Sequence, residues 1–209
     1  MNATCPLCAT LSPLFFQNAD TYYRCGVCRG IFVDENNRPN LETEKSRYEI
    51  HENDVEDKNY QKFVSPITSS ILRDFKKESK GLDFGAGTGP VLSKVLQDSS
   101  YFIKQYDPFF HNYPKLLKEK YDYIGSCEVV EHFYNPYKEF KLLKSMLDPH
   151  AKLYLMTEVY NDDIDFASWY YKNDPTHVFF YHKNTFEWIK NEFDFLDVSV
   201  EGRLITFTN

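Results

Sequence analysis

Short apolar runs alternate with longer amphipathic stretches along most of this chain. From residue 80 the order is Gly81-Leu82-Asp83-Phe84, then Val91 to Leu96; Tyr101 to Tyr106, then Tyr113 to Lys120; Tyr123 to Val129, then Tyr137 to Leu147. The apolar runs are strand-sized and the stretches between them carry apolar positions at helical spacing. The pattern therefore predicts β-α-β-α units, a parallel sheet with helices on both faces. Lys152 to Thr157 adds a strand and Lys183 to Asn191 a helix. Phe195 to Val200 and Leu204 to Thr208, joined through Glu201-Gly202, read as an antiparallel hairpin. Ahead of these units Phe63, Val64, Ile67, Ile71, Leu72 and Phe75 recur at helical spacing through Ser65-Pro66, predicting one helix from about 61 to 77.

The first 40 residues have a different pattern. Cys5-Pro-Leu-Cys8 and Cys25-Gly-Val-Cys28 are two C-x2-C pairs with 16 residues between them. Two residues between thiolates let each pair turn tightly and present both sulfurs to one tetrahedral ion, with Gly26 and Gly30 supplying backbone freedom. Tyr22-Tyr23-Arg24 and Ile31-Phe32-Val33 read as strands into and out of the second turn, so the segment predicts a zinc ribbon holding structural zinc on Cys5, Cys8, Cys25 and Cys28. Two disulfides are the alternative, disfavoured in a reducing compartment. Four thiolates would leave no open position for water on the ion, which implies stability or docking and no zinc chemistry. The polar, turn-rich stretch after Val33 places the boundary near residue 40: ribbon 1–40, linker and helical cap 41–79, and the α/β domain 80–209.

Composition narrows the setting. The chain has 209 residues, 42% of them hydrophobic and 17% aromatic, enough for one core of ordinary domain size plus an appendage. Twenty-four Lys and Arg against 31 Asp and Glu give a net charge of −7, which argues against nucleic acid as a partner. No apolar stretch approaches the roughly 18 to 20 residues that span a bilayer, and the first residues lack a basic start and apolar run, so a cytoplasmic protein without membrane insertion is expected. Composition says nothing of oligomeric state.

The segment Asp83-Phe84-Gly85-Ala86-Gly87-Thr88-Gly89-Pro90 lies where strand gives way to helix, with Pro90 at the first helical position. Glycines there let the backbone approach a ligand closely, and ligands of open α/β sheets bind at the carboxyl ends of the strands. Asp107 follows Gly89 by 18 residues at the end of the second strand, placed to accept hydroxyl hydrogens of a ribose. A nucleoside cofactor is implied. The acid before the first glycine disfavours a pyrophosphate, hence a nicotinamide dinucleotide, and suits a ligand with positive charge.

Three motifs carry a family resemblance: Leu82 to Gly89, Tyr106-Asp107-Pro108, and Tyr121-Asp122-Tyr123-Ile124 with Glu128-Val129-Val130-Glu131-His132-Phe133 and Pro136. Over roughly residues 60 to 209 the chain resembles class I S-adenosylmethionine-dependent methyltransferases, in particular the subgroup of ubiquinone-biosynthesis O-methyltransferases, from which the ribbon is a departure. With the ribbon, Arg47-Tyr48-x-x-His51-x-Asn53 and Asp174-x-Thr176-His177, the layout also resembles a group of bacterial methyltransferase-domain proteins. The resemblance implies a Rossmann-like fold and S-adenosylmethionine as cofactor. It implies that Gly85, Ala86, Gly87 and Gly89 contact the methionine and sugar portions, that Asp83 orients the loop or the ammonium group, and that Asp107 holds the ribose. Pro108 and Phe109 would wall the adenine, with Cys127 and Glu128 on the far side; Phe109 and Phe110 read equally as core aromatics.

Methyl transfer from a sulfonium is an in-line displacement that needs alignment and exclusion of water, and a neutral amine or hydroxyl acceptor also loses a proton, which a base within reach takes up. His177 is the first candidate base and His132 the second. Trp169, Tyr170, Tyr171, Asp174 and Tyr181 surround His177 in sequence as an acceptor-covering cluster; a purely structural lid is the alternative. Tyr48 and His51, three residues apart, share a helix face able to reach over the cleft, or only solvate it. The resulting expectation is O- or N-methylation of a small-molecule acceptor. The competing readings are a protein or RNA substrate docked by the ribbon, and a degenerate domain that binds without catalysis.

Overall fold

The computed structural model describes residues 1–50 and 54–209; His51 and Asn53, singled out above, lie outside the described residues. Four short strands open the chain, β1 (Asn2–Thr4), β2 (Leu11–Gln17), β3 (Thr21–Arg24) and β4 (Ile31–Val33), paired antiparallel in that order. The two C-x2-C turns repeat one geometry. Ala9 N–H returns to the Cys5 carbonyl at 2.9 Å and Arg29 N–H to the Cys25 carbonyl at 3.1 Å, while Cys5 and Cys25 N–H reach Thr10 and Gly30 carbonyls at 2.9 Å each.

Helix α1 (Leu41–Ile50) follows, then α2 (Lys58–Phe63) and α3 (Ser65–Asp74). The single helix expected over 61–77 is thus two helices that meet at Val64. Pro66 lacks an N–H and its ring would crowd the Lys62 carbonyl in a continuous helix, so the chain breaks and restarts with the proline in the first turn of α3. The α/β region then runs β5 (Gly81–Phe84), α4 (Val91–Asp98), β6 (Ile103–Tyr106), β7 (Tyr121–Cys127), α5 (Pro136–Ser145), β8 (Leu147–Met156), β9 (Val159–Tyr160), β10 (Phe179–His182), α6 (Lys183–Glu192), β11 (Asp197–Glu201) and β12 (Leu204–Thr208). Tyr113 to Lys120 is not the expected α-helix but a 3-10 turn at Pro114–Lys118. Leu116 is its one buried residue, so there is no apolar stripe to hold a helix against the sheet.

The main sheet has the order β11-β12-β8-β7-β5-β6. Strands β8, β7, β5 and β6 are parallel, and β12 adds antiparallel to β8 with β11 beyond it, the mostly parallel α/β sheet with a terminal hairpin that the hydrophobic pattern predicts. Chain order reverses direction beside β5, with β6 on one side and β7 on the other, which opens a crevice at their carboxyl ends.

The change of composition near residue 40 is no break in packing. Strand β4 continues its sheet by pairing antiparallel with β10, Phe32 opposite Phe179 and Ile31 opposite Phe180, and β10 pairs in parallel with β9. One apolar core runs from Cys5, Leu7, Cys28 and Phe32 through Phe179 to Leu82, Ile124 and Leu153 of the main sheet. Among the described residues no helix is long and apolar enough to cross a membrane.

Phe179 is wholly buried where the two sheets share this core, and its ring lies against Gly30, where an added Cβ would come within 2.3 Å. Phe179→Ala is expected to cost about 3–5 kcal/mol in urea unfolding, in a single transition for the whole chain. A separate early transition for the ribbon would contradict the shared core.

Candidate active site

Strand β5 delivers Asp83 and the glycine turn to the crevice. Gly85 has φ +81°, and a Cβ there would lie 2.4 Å from Val129 Cγ2; Gly87 has φ +62° and faces open space. Both conformations favour glycine, the first also by packing. Two buried aspartates fix the turn. Asp83 Oδ2 accepts from Ser93 N at 3.2 Å and Ser93 Oγ at 2.7 Å, tying the strand end to the first turn of α4. Burial pushes its carboxyl up to about 6, the Ser93 hydrogen bonds opposing and the neighbouring Asp107 charge assisting. Asp107 Oδ2 accepts from Gly87 N at 3.0 Å, and its Oδ1 accepts from Phe109 N at 2.8 Å and Phe110 N at 3.1 Å. Asp107 therefore clamps the glycine turn to the end of β6, a positioning role the sequence alone does not display.

A cavity of about 870 Å³ lies over these strand ends. Ligand sites run to roughly 300–1,000 Å³, so the volume suits a nucleoside cofactor with room for a second, small molecule. Every residue assigned to the cofactor side lines it except Gly89, whose carbonyl accepts from Val91 N inside the turn at 2.9 Å. Cys127 lies on the wall with its thiol pushed well up by burial and by the charges of Glu128 and Glu131, which removes it as a thiolate nucleophile.

The same cavity brings together Tyr48, His132, Tyr170, Tyr171, Asp174 and His177, most of them expected on the acceptor side. Tyr48 reaches in from α1, its ring edge-on to His132 at 5.3 Å and 5.8 Å from Phe109, with its hydroxyl on Glu44 at 2.8 Å. Asp174 accepts from Arg47 of α1 at 3.1 Å and from Thr176 Oγ1 at 2.6 Å and N at 3.0 Å. Burial alone would raise its carboxyl, but the Thr176 hydrogen bonds, His177 and Arg47 hold it at about 2. Two residues expected here lie elsewhere. Trp169 is buried among Tyr160, Phe166 and Phe180, with ring centroids 5.5 to 6.0 Å away. Tyr181 is wholly buried, stacked on Phe186, and donates its hydroxyl to the Val130 carbonyl at 2.9 Å. Apolar burial claims both rings.

Immediately after β7 the backbone turns sharply. Glu128 takes φ +54°, unusual for a residue with a side chain, and Val130–His132 form a 3-10 turn. Glu128 Oε2 accepts from Arg203 at 2.6 Å and lies 3.3 Å from the Tyr171 hydroxyl oxygen. Its carboxyl is pushed up to about 7, first by burial and then by the Glu131 charge, with Arg203 pulling it down. Glu131 is wholly buried, which raises its carboxyl; its Oε1 accepts from the Tyr171 hydroxyl at 2.5 Å. The Tyr171 hydroxyl is also 3.1 Å from Thr157 Oγ1. His132 Nδ1 lies 2.9 Å from the Thr176 carbonyl and His177 Nδ1 lies 2.7 Å from the Tyr171 carbonyl, with ring centroids 4.9 Å apart. A carbonyl only accepts, so in the neutral rings Nδ1 carries the proton and Nε2 the lone pair. Burial lowers His177 further, against the pull of Glu131, which keeps it neutral at pH 7.

Glu131 and Arg203 were not among the sequence candidates. Glu131 stands inside the Glu128 to Phe133 motif, three residues after one acid and next to a histidine, a spacing that marks it once the turn is known. Arg203, in the turn of the terminal hairpin, has no local signal. At the other end of the chain the Cys5 and Cys28 sulfurs are 3.6 Å apart, those of Cys8 and Cys25 3.3 Å, and all four lie within 4.8 Å of one another. A tetrahedral ion with sulfurs at ~2.3 Å spaces them by about 3.8 Å, so the donor set fits zinc.

Residues 57–200 match the family model of a methyltransferase domain. No curated protein matches the chain. Among solved structures it is similar to a SAM dependent methyltransferase from Archaeoglobus fulgidus, at TM-score 0.55 and 16% identity over 71% of this chain and 94% of that one. It is also similar to human N-acetylserotonin methyltransferase in complex with SAM, at TM-score 0.53 and 10% identity over 72% of this chain and 53% of that one. A third is an O-methyltransferase family protein from Burkholderia thailandensis, at TM-score 0.51 and 10% identity over 71% and 56%. The chain thus spans little more than half the length of these two larger proteins, and at such identities the likeness is one of fold.

The glycine turn generates a paired prediction. Gly87→Ala costs only the left-handed backbone, about 1–2 kcal/mol, whereas Gly85→Ala adds the contact with Val129 and costs about 2–4 kcal/mol. Thermal unfolding checks the order; equal losses would contradict the close packing of Gly85.

Proposed function

The chain belongs to the methyltransferase-domain family, and from that premise we propose that it transfers a methyl group from S-adenosylmethionine to a small hydroxyl- or amine-bearing acceptor. The observation that carries this reading is the single cavity that joins the Asp83–Gly87 turn and Asp107 to the Glu128, His132 and His177 cluster. The donor set suits that cofactor. Gly85 and Gly87 leave the backbone open to close approach, Asp107 retains one lone-pair position, on Oδ2, for a ribose hydroxyl beside the three N–H groups it already accepts, and the acidic wall suits a cation. When bound, S-adenosylmethionine supplies a methyl group activated by its sulfonium.

The rest is the work of the chain's own residues. Tyr48 and Tyr171 close the acceptor side and exclude water; Asp174, tied to Arg47, fixes the helical cap over the cleft. Glu128, Glu131, His132 and His177 orient the acceptor and take up the proton it loses. We assign structural zinc to Cys5, Cys8, Cys25 and Cys28. Three of these cysteines are buried in the core that the ribbon shares with the main sheet, so the ion would stabilise the scaffold behind the site, and cysteines kept reduced for a metal suit a reducing, cytoplasmic setting.

Calorimetric titration with S-adenosylhomocysteine is expected to show one site, with no binding of NADH, and Asp107→Ala is expected to weaken it at least tenfold; binding of NADH instead would replace the reading. With an accepted substrate, His177→Ala is expected to lower kcat by about 10²–10⁴ while S-adenosylhomocysteine affinity changes less than threefold. Unchanged turnover would remove His177 from the acceptor machinery. Chelation of zinc is expected to lower the unfolding temperature of the whole chain, and an unchanged melt would show the cysteines to be unoccupied.

A further inference from the structure

Helix α1 has a single buried residue, and that residue is a carboxylate. Glu44 is 7% exposed and lines the cavity. A helix is ordinarily held to its scaffold by apolar side chains, and burying an acid costs free energy unless donors or a cation meet it. Helix polarity does not call for this burial, since Glu42 offers a carboxylate to the same first turn from the surface. The partners Glu44 has are neutral. Its Oε1 accepts from the Tyr48 hydroxyl at 2.8 Å, and the Tyr134 hydroxyl beside it is committed to the Pro39 carbonyl at 2.7 Å. Burial raises its carboxyl against the help of the two tyrosines. Among the described residues no cation pairs with it. Arg47 is taken by Asp174, and Arg38 by the Val33 and Tyr134 carbonyls and the face of the Tyr134 ring. The other carboxylates of the cavity wall are provided for. Asp83 and Asp107 accept N–H and hydroxyl groups, Glu128 and Asp174 each hold a guanidinium, and half-buried Glu139 stands beside Lys138.

We propose that Glu44 seats an ammonium or guanidinium group of the methyl acceptor, with the rings of Tyr48 and Tyr134 as the walls of the seat. A cation there gains a charge-assisted hydrogen bond and two ring faces, and supplies the countercharge that the buried acid lacks. Tyr48 stands between this seat and His132, its hydroxyl on Glu44 and its ring edge-on to the imidazole at 5.3 Å. The seated cation keeps its proton and is no nucleophile. The atom that takes the methyl group is therefore a second group of the same molecule, on the imidazole side of the Tyr48 ring. That the ligand is the methyl acceptor rests on the methyltransferase reading; the cation seat does not.

The test titrates the full chain at pH 7 under calorimetry, with and without saturating S-adenosylhomocysteine, using three probes of similar size: cationic tyramine, neutral 4-ethylphenol and anionic 4-hydroxyphenylacetate. Tyramine is expected to bind at least tenfold more tightly than either of the others. Glu44→Gln is expected to remove that margin while changing the affinities for 4-ethylphenol and S-adenosylhomocysteine less than threefold. No binding of tyramine, affinity equal to that of 4-ethylphenol, or a margin kept in the variant would overturn the proposal. S-adenosylhomocysteine bound at least tenfold more weakly by the variant would give Glu44 to the cofactor and overturn it too. A second readout needs no probe: an acid buried for a ligand is a cost in its absence, so ligand-free Glu44→Gln should unfold at the same or a higher temperature, and a lower one would make Glu44 part of the scaffold. If S-adenosylhomocysteine binds and tyramine shows no preference, the seat falls and the methyltransferase reading stands; if tyramine binds through Glu44 and S-adenosylhomocysteine does not bind, the reverse holds.

Discussion

Two backbone pairings, Ile31 with Phe180 and Phe32 with Phe179, hold the parts of this molecule in register. They join β4 to β10, the strand that follows the loop carrying Tyr171, Asp174 and His177. Next to them Val33 N–H reaches the Val178 carbonyl at 3.0 Å and Val178 N–H reaches the Glu131 carbonyl at 2.9 Å. Residue 178 thus links the ribbon, the loop carrying Tyr171, Asp174 and His177, and the turn carrying Glu128, Glu131 and His132. The cysteine cluster lies behind this seam in the same core, which is why the ribbon is best understood as a foundation for the site and not as a separate module.

Electrostatics explains why the foundation must be firm. Glu128 and Glu131 are two acids in a buried setting, where burial favours the protonated form of each and the Glu131 charge pushes Glu128 further the same way. Arg203 offsets part of this from the opposite side, reaching Glu128 at 2.6 Å and Glu158 at 3.1 Å. Glu128 moreover holds a left-handed backbone conformation, at a cost of order 1–3 kcal/mol. Strain and crowded charge persist only where surrounding structure over-determines them, here β7, the terminal hairpin and the Tyr171 hydroxyl. A cationic cofactor would relieve that charge, coupling ligand binding to the stability of the turn.

Much of this was legible in the chain. Alternating apolar runs mark β5, β6, β7, β8 and the hairpin, because parallel strands buried on both faces must be apolar throughout. The cysteine spacing and the Asp83–Gly89 turn are local signals and read directly. What the sequence conceals is non-local. Pairing of β4 with β10 joins residues nearly 150 positions apart with no motif on either, so a compositional boundary near residue 40 looks like a structural one. Trp169 and Tyr181 share a segment with Tyr171 and His177, and only packing decides which rings face the core. Arg203 enters the site from a hairpin turn, and Asp107 turns out to clamp the glycine turn through backbone N–H groups that no residue pattern records.

The central claim is that one cavity seats the cofactor at the glycine turn with its reactive sulfur facing the Glu128, His132 and His177 cluster. A crystal structure of the protein soaked with S-adenosylhomocysteine tests it most directly. The account predicts the ribose at Asp107 and the sulfur on the side of the cavity that His132 and His177 line. A ligand bound away from Asp107, or with its sulfur turned from the two imidazoles, would contradict it.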